Sequence, residues 1–434
     1  MKADYINYAI ENYILKISGV FNYNKSFKAT AIQNNYEELK FSESNVNFCK
    51  DFFYPNLRKE FFSNHEDRHP ILIRKGAENA PVNLFQYVFN SKTDKAKSIN
   101  INIIESRLDL FDNGFGLFTL SLRLDKDCVD LARFSDAAFL ARNFDTLIEF
   151  GPYSKWYEYI EQEVLLGLST RGNTIKVDEY SGSKYKLYMI LDVPQLADKD
   201  QIKALLLDIG TLARLGSAVG NAFDGMDDNY IKKLIKNNSI AVFNNWQGLA
   251  LLDTYTVVGK SILNTDWQKV TYNSIYYGIY CYSLFLKYSL FKFNFEIADL
   301  DEDRREDFQD FLARYYFNYV SYNFLPTEIY NKIRVALDIE KELDLLNEKI
   351  SAVGQRIQED QQDRTNKILG IVTVLSSVSS AQPVFDYLVI GQQWLGWNVA
   401  LYWTIAITLT LVVVTGIGFY IFGKTIIKWF KNRK

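Results

Sequence analysis

The sequence predicts an α+β domain followed by a long stalk helix and a transmembrane hairpin of two helices. Three observations lead to this fold class. Residues 1–130 are rich in strand-like alternation, residues 131–334 show mainly helical periodicity, and no charged side chain occurs between Trp397 and Phe422. At 434 residues the chain has room for two or three such parts and for a core of useful size.

The clearest strand signal in residues 1–130 is the stretch ESRLDLFDNGFGLFTLSLRL. Two alternating apolar runs flank the pair Asn113-Gly114, which suits a tight turn with positive φ. We therefore expect a β-hairpin here.

Helical periodicity takes over in residues 131–334. The stretch DKDQIKALLLDIGTLARLGSAVGNAF spaces its leucines as a helix does and begins with acidic residues. The apolar stretch from 273 to 291 predicts a buried helix and not a membrane span, because Lys287 interrupts it and tyrosines crowd it.

The second transmembrane helix is expected at 397–423, since its uncharged length is enough to cross a bilayer core of about 30 Å. The basic tail, residues 424–434, contains no acid, so the positive-inside rule places it in the cytoplasm. The N-terminus carries acids and tyrosines where a secretory signal would need an apolar stretch, so residues 1–334 are also expected to be cytoplasmic.

With both termini cytoplasmic, the number of crossings must be even. The first transmembrane helix is therefore expected at 368–390, with an outer loop at 391–396. Polar and small residues recur along one face of this helix, at Asn366, Gly370, Thr373, Ser377 and Ser380. This stripe is either a packing face between membrane helices or the wall of a water-lined pore, and both interpretations remain open from this stretch alone.

A stalk helix, residues 335–367, leads into the first membrane helix. Its apolar residues follow a heptad seam that needs a partner helix, at Ile339, Leu343, Leu346, Ile350, Val353 and Ile357. From Asp338 to Asp363 the stalk carries a net charge of −5. In an oligomer these acids, Asp360 and Asp363 among them, would concentrate cations at a pore mouth.

Charge and cysteine usage narrow the function classes. The net charge of −3 does not suit a direct nucleic-acid binder of the strongly basic kind. Cys49, Cys128 and Cys281 share no metal-ligand spacing and indicate free thiols in a reducing compartment.

The two histidines of the chain, His65 and His69, lie in the stretch HEDRH. The pattern H-E-x-x-H on a helix holds zinc, with Glu66 as general base. Pro70, however, disfavours helical backbone at His69, so a surface loop feeding a strand from Ile71 to Arg74 is the expected structure.

Candidate ligand-binding residues in the domain are four arginines and one polar segment, namely Arg133, Arg142, Arg171, Arg214, Asn244, Asn245 and Trp246. The arginines are either paired structural charges or anchors for an anion such as a nucleotide phosphate. Asn244 to Trp246 either face a ligand or provide a helix cap and a core tryptophan.

The C-terminal stretch RTNKILGIVTVLSSVSSAQPVFDYLVIGQQ resembles, in layout, the first membrane helix of the CorA divalent-cation channel family. That family's helix ends in Gly-Met-Asn, whereas this chain has Gly391, Gln392 and Gln393. The resemblance covers roughly the last hundred residues and implies a homo-oligomer, by family a pentamer, with two membrane helices per subunit in the bacterial inner membrane. The departure at the signature leaves the conducted ion open.

A narrower resemblance links the chain to the CorA-like membrane effectors of type III CRISPR systems, through SRLDLFDNGFGLFTLSL and WQGLALLDTYTVVG. It implies that residues 1–334 are a ligand-sensing domain for a nucleotide second messenger, S-adenosylmethionine joined to AMP. Binding would act through the membrane part on the bilayer or on ion balance in antiviral defence, without catalysis and with no firmly expected cofactor beyond a possible divalent cation.

Two other functions remain as alternatives. One is a constitutive transporter of divalent cations such as magnesium, cobalt or nickel, of the CorA family. The other is a membrane-tethered zinc hydrolase that uses His65, Glu66 and His69.

Overall fold

The computed structural model of the chain describes residues 5–65, 68–76, 81–88, 91–112, 114–125, 129–168, 184–213, 215–216, 227–296, 302–395 and 407–408. The chain divides into two compact units, Met1–Asn347 and Glu348–Lys434. The N-terminal unit mixes strands and helices, and it contains the core described below.

The strands of the N-terminal unit are, in chain order, β1 (Ala9–Ile10), β2 (Asn12–Asn22), β3 (Glu37–Glu38), β4 (Ile71–Lys75), β5 (Val82–Val88), β6 (Ser91–Leu110), β7 (Phe115–Leu124), β8 (Val129–Asp130), β9 (Leu147–Phe150), β10 (Tyr153–Lys155), β11 (Lys186–Asp192), β12 (Ser239–Ile240), β13 (Trp246–Ala250) and β14 (Thr254–Gly259).

Twelve of the described strands form one sheet, with the order β10-β9-β5-β6-β7-β2-β11-β14-β13-β12 and with β4 pairing both β3 and β6. Every pair is antiparallel except β11 with β14, which run parallel. The strands β1 and β8 form a separate pair.

The helices are, in chain order, α1 (Phe27–Gln33), α2 (Glu43–Phe52), α3 (Pro55–Phe61), α4 (Leu131–Arg142), α5 (Trp156–Tyr159), α6 (Lys199–Thr211), α7 (Asp228–Asn238), α8 (Asp266–Val270), α9 (Tyr277–Glu296), α10 (Glu302–Tyr315), α11 (Phe324–Ala336) and α12 (Ile339–Leu395). Two π-helical segments follow α5 and α8, at Ile160–Val164 and Thr271–Tyr276; the second is called the π turn below.

The predicted hairpin is confirmed as β6 and β7, which pair antiparallel with Leu110 opposite Gly116. Gly114 has φ +80°, and its N–H donates to the carbonyl of Phe111 at 3.0 Å to close the turn. Glycine adopts this left-handed backbone without the steric cost that a Cβ brings. The turn therefore has the positive φ that the Asn113-Gly114 pair predicts.

The predicted acidic helix start is confirmed at α6. The Asp198 carboxylate accepts the N–H of Gln201 at 2.8 Å, as an N-cap does. The helix ends at Leu212, whose φ of +55° leaves the helical region.

The two faces of the sheet differ because side chains alternate along each strand. One face is apolar and packs beneath α4 and α6 through residues such as Leu15, Ile17 and Leu120. The other face carries the intervening residues and is covered by α9.

The predicted boundary at residue 130 between a strand-rich and a helical part does not separate two structural units. Helical residues do dominate 131–334, but β11, β13 and β14 lie in this range and join the sheet of the first 130 residues. Strand β11 pairs directly with β2. Because a sheet is completed by distant strands, one unit extends across both ranges.

The stretch from 273 to 291 forms the π turn and most of α9, and every residue from Tyr277 to Leu290 is buried. Lys287, the charge that argued against a membrane span, is 2% exposed and donates to Glu342 at 2.9 Å. The expectation of a buried helix is confirmed.

The stalk begins at Ile339 and not at residue 335, because α11 continues to Ala336 and Asp338 has a left-handed φ of +53°. Ile339 and Leu346 of the heptad seam are buried within the N-terminal unit. Part of the seam therefore finds its partner surface in its own chain.

The predicted membrane region is only partly described. In the part of the chain that the structure describes, no helix combines the length and the apolar composition needed to cross a membrane. The predicted first span, 368–390, is helical within α12, although most of its side chains lie outside the described residues. The predicted second span and basic tail lie outside them too, apart from 407–408.

The prediction of an outer loop at 391–396 is wrong for residues 391–395, because α12 remains helical through Leu395. No proline interrupts the segment after Gly391, and glutamine and leucine are good helix formers.

Gly278 tests the packing of α9. A Cβ at this position would lie 2.2 Å from Cε1 of Phe62, whose ring stacks on Phe53 at 4.0 Å. We expect Gly278→Ala to lower the melting temperature by a few degrees, in line with an overpacking cost of about 1–3 kcal/mol. Adding Phe62→Leu should recover part of the loss, whereas additive losses in the double variant would contradict this contact.

Candidate functional site

A cavity of about 470 Å³ lies on the face of the sheet that is covered by α9. Its floor consists of adjacent strands whose register is fixed by their backbone pairing. Two neighbouring cross-strand rows meet there: Lys75, Glu105, Ser121 and Lys16 in one row, and Ile73, Arg107, Thr119 and Ser18 in the next. Opposite residues in such rows are about 5 Å apart, so these polar groups converge on a common space.

The walls of the cavity come from α2, the segment after α3, the loop before α2 and the helical run that includes the π turn. They contribute aromatic rings, carboxamides and small polar groups: Phe41, Asn45, Phe48, Cys49, Phe62, Asn273, Ser274 and Cys281. Gly278 also lines the cavity, and its missing side chain lets α9 approach Phe62.

Lys16 dominates the electrostatics of the cavity. Its side chain is 8% exposed, and Nζ lies 4.0 Å from the ring centroid of Tyr277. Among the described residues no carboxylate or hydroxyl is within hydrogen-bonding distance of this ammonium. Burial lowers the pKa of Lys16 to about 8, and the positive charge of Arg107 adds to the effect. The carboxylates of Glu105 and Asp109 oppose this shift without contacting the ammonium, so Lys16 is a buried cation that has no direct anionic partner among the described residues.

Arg107 is the second cation of the floor. Its Nε and Nη2 donate to the two carboxylate oxygens of Asp109 at 2.8 and 2.6 Å. Burial raises the pKa of Asp109, but the guanidinium of Arg107 and the contact with His69 outweigh burial and hold it well below its usual range. The Arg107–Asp109 pair thus stays ionised and presents the remaining edge of the guanidinium to the cavity.

His69 completes this network from the far side of Asp109. Its Nδ1 lies 3.0 Å from the carbonyl oxygen of Glu60, and its Nε2 lies 3.2 Å from Oδ1 of Asp109. Both partners accept hydrogen bonds, so both contacts are made together only when each ring nitrogen carries a proton. Neither nitrogen of His69 can ligate a metal without losing one of these contacts.

The two cysteines of the cavity are not prepared for chemistry. Burial raises the pKa of both Cys49 and Cys281 to about 11, so that both remain protonated thiols at neutral pH. A buried ammonium, a partly free guanidinium, aromatic rings and carboxamides instead suit the binding of an anion that carries a ring system. The volume falls in the range of small-molecule sites, about 300–1,000 Å³.

The sequence-predicted ligand residues that the structure describes do not line this cavity. Arg133 borders a separate small pocket, and Arg142 lies 4.0 Å from Asp253 as part of a half-buried ion pair. Arg171 and Arg214 lie outside the described residues. The ligand-binding role of the four arginines stays a prediction.

The polar segment before β13 is structural in the described chain. Asn244 is exposed, and Asn245 donates from Nδ2 to the carbonyl of Lys260 at 3.1 Å. Trp246 is 6% exposed within β13 and contacts Phe243. Trp246 is thus a core residue, as the alternative interpretation had it, although its element is a strand.

The surface-loop interpretation of HEDRH holds for His65, which is exposed, and is wrong for His69, which is 5% exposed. Glu66 lies outside the described residues. Within the described chain, no group of three His, Cys, Asp or Glu side chains is placed to hold a metal ion.

The predicted pore and cation-sensing residues lie on α12. Asn366, Thr373 and Asp363 are exposed, Gly370 is half-buried, and the hydroxyl of Thr373 donates to the carbonyl of Leu369 at 2.7 Å. The side chains of the other members lie outside the described residues: Asp360, Ser377, Ser380, Gln392 and Gln393, with Gly391 known only by its backbone.

Sequence reasoning missed the cavity floor, although a signal for it exists. Lys16 alternates with Leu15 and Ile17, and Glu105 and Arg107 occupy the polar positions of the predicted hairpin. Such alternation usually means a solvated face. Only the aromatic stretch that forms α9 hints that this polar face is covered.

No protein-family model matches the chain, and no curated protein matches it significantly.

Lys16 gives a prediction with a defined pH dependence. Its pKa in the folded chain is lower than in the unfolded chain, where it is about 10.5. Burying the charged form therefore lowers the free energy of unfolding by its full amount below about pH 8, and this loss of stability fades as pH rises toward 10.5. Lys16→Met should raise the free energy of unfolding at pH 7 by up to about 3 kcal/mol, and the melting temperature should rise with it. This gain should shrink by pH 10.

Lys75→Met is the matched control, because this lysine is 72% exposed and pairs with Glu105 at the rim. It should change stability by no more than about 0.5 kcal/mol. A Lys16→Met protein that melts lower than wild type at pH 7 would show that the ammonium is structurally compensated.

The histidines give a second prediction. His69→Leu should lower the free energy of unfolding by about 2–3 kcal/mol, because Asp109 loses a charge-assisted hydrogen bond. His65→Ala should be neutral within about 0.5 kcal/mol. Thermal unfolding measures both effects. Zinc analysis of the same samples should find no zinc that wild type binds and His65→Ala lacks.

Proposed function

We propose that the cavity binds an anionic nucleotide and that the chain is a ligand-gated, CorA-like membrane effector of type III CRISPR antiviral defence. The activating ligand is S-adenosylmethionine joined to AMP. The protein makes and breaks no bond; ligand binding shifts a closed-to-open equilibrium by its differential affinity for the two states.

The observation that carries the proposal is Lys16, a cation that is buried in a cavity without an anionic partner among the described residues. Burying an uncompensated charge is unfavourable, so such a residue is expected where a ligand supplies the opposite charge. Arg107 lines the same cavity, so a bound phosphate would meet a second cation there.

The remaining lining supports a nucleotide more than a simple inorganic anion. Phe41 and Phe48 offer ring faces on which a base can stack, and Asn45 and Asn273 offer carboxamides for its polar edge. An inorganic phosphate would contact the cations but not these aromatic and carboxamide groups.

Apolar residues at the start of the predicted first membrane helix support contact of α12 with other subunits or with a bilayer. Ile368, Leu369, Ile371 and Val372 occupy one turn of the helix and are each at least 50% exposed. A contiguous exposed apolar surface of this kind marks an interaction site. In the proposed effector this region enters the bacterial inner membrane as the first of two spans per subunit, with both termini cytoplasmic, in a homo-oligomer.

The decisive experiment is mass spectrometry of nucleotides retained by the detergent-purified protein, followed by calorimetric titration with S-adenosylmethionine–AMP. Lys16→Met should weaken binding at least about 30-fold, because the ligand charge loses a desolvated partner worth 2 kcal/mol or more. Lys155→Met, whose lysine pairs with Asp145 and does not line the cavity, should bind within a few fold of wild type. Wild-type affinity in Lys16→Met would remove the cavity from the proposal.

The polar stripe gives a prediction for the membrane step. Thr373→Leu should reduce ligand-dependent ion flux and growth arrest, because it removes a hydroxyl and adds bulk at a proposed narrow aqueous wall. Val372→Leu, one residue away on the apolar side, should leave both unchanged. If ligand-dependent flux survives Thr373→Leu in an assembled protein, the stripe is a packing face. Divalent-cation uptake that needs no nucleotide would instead favour the constitutive transporter.

A further inference from the structure

Tyr277 is the residue where the cavity floor meets the helix that covers it. It is the first residue of α9, directly after the π turn. Its ring receives the ammonium of Lys16 at 4.0 Å, and its hydroxyl hydrogen bonds with Thr119 and, at 3.4 Å, with Ser18. One buried side chain thus connects both floor rows to α9.

The π turn gives this position room to respond. The chain is helical from Asp266 to Glu296, with α8, the π turn and α9 in continuous succession. A π segment accommodates an extra residue in a helical turn and is frequent at functional sites. Asn273 and Ser274 of the π turn line the cavity, and their side chains make no hydrogen bond to any described residue.

The C-terminal half of α9 contacts the beginning of α12. Lys287, buried, donates to Oε1 of Glu342 at 2.9 Å, and Asn294 donates to Oε2 of the same carboxylate at 2.8 Å and to its backbone carbonyl at 3.2 Å. Burial lowers the pKa of Lys287, while the Glu342 carboxylate opposes the shift and anchors the ammonium. This is the described polar contact between α9 and the first turn of α12.

We propose that α9 transmits the charge state of the cavity from Tyr277 to Glu342 and so sets the position of the first turn of α12. The proposal rests on anion binding at Lys16, as proposed above. An anion at Lys16 competes with the Tyr277 ring for the ammonium, since a full negative charge attracts it more strongly than a ring face. The Tyr277 ring and the backbone of the π turn then shift position.

The helix passes this readjustment on because it has little freedom to absorb it. Tyr277 to Leu290 are all buried, and close-packed interiors transmit strain. Between Cys281, the last residue of α9 that lines the cavity, and Lys287 the rise is roughly 9 Å at about 1.5 Å per residue, too far for direct contact between the cavity and Glu342. Any effect of one end on the other must therefore pass through α9 and its neighbours.

Hydrogen–deuterium exchange of the detergent-purified full chain tests the proposal, with AMP as the probe and a peptide over residues 339–346 as the readout. We expect saturating AMP, and Lys16→Met without AMP, to change exchange there by about fivefold or more. A peptide over α6, on the opposite face of the sheet, should not change. Glu342→Gln should abolish the response and, by reciprocity, alter the affinity for AMP.

Two variants at Tyr277 separate the ring from the hydroxyl. Tyr277→Phe keeps the ring that competes for the ammonium and should retain the response at residues 339–346. Tyr277→Leu should lose it while AMP still binds. Unchanged exchange at residues 339–346 in both AMP-saturated wild type and Lys16→Met would overturn the proposal. If AMP does not bind, Lys16→Met still decides the coupling, and the titration with S-adenosylmethionine–AMP decides the proposed function.

Discussion

The alternation of side chains along β2, β6 and β7 is the constraint on which the N-terminal unit depends. Leu15 and Ile17 must face α4 and α6 to complete the apolar core, so Lys16 between them must face the other way. Register in a sheet cannot slip by one residue without exchanging the two faces. The position of the buried ammonium is therefore enforced by the packing of its neighbours.

This constraint explains why a charge is tolerated where burial disfavours it. Desolvation lowers the pKa of Lys16, and the Tyr277 ring offsets only part of the loss. Arg107, two strands away, avoids the same penalty because Asp109 accepts two hydrogen bonds from it. Of the two cations on this floor, Arg107 thus has a direct carboxylate partner, and Lys16 has none among the described residues.

The covering helix joins the site to the rest of the chain through polar contacts at its two ends. Near its start, Tyr277 bonds to the floor, and toward its end, Lys287 and Asn294 hold Glu342. Between them the packing is mainly aromatic, including Tyr188 against both Tyr277 and Tyr280. Polar contacts require specific geometry, whereas the aromatic packing between them mainly provides stiffness.

The sequence by itself determined the local elements: the hairpin turn at Gly114, the cap of α6 at Asp198 and the burial of the helix that contains Lys287. Each depends on residues close in sequence, where turn preference, capping and periodicity act directly. Only the tertiary structure decided that β11 and β14 extend the sheet, that His69 is buried against Asp109, and that Lys16 faces Tyr277. Periodicity shows which residues share a face, but what covers that face depends on partners far away in the chain.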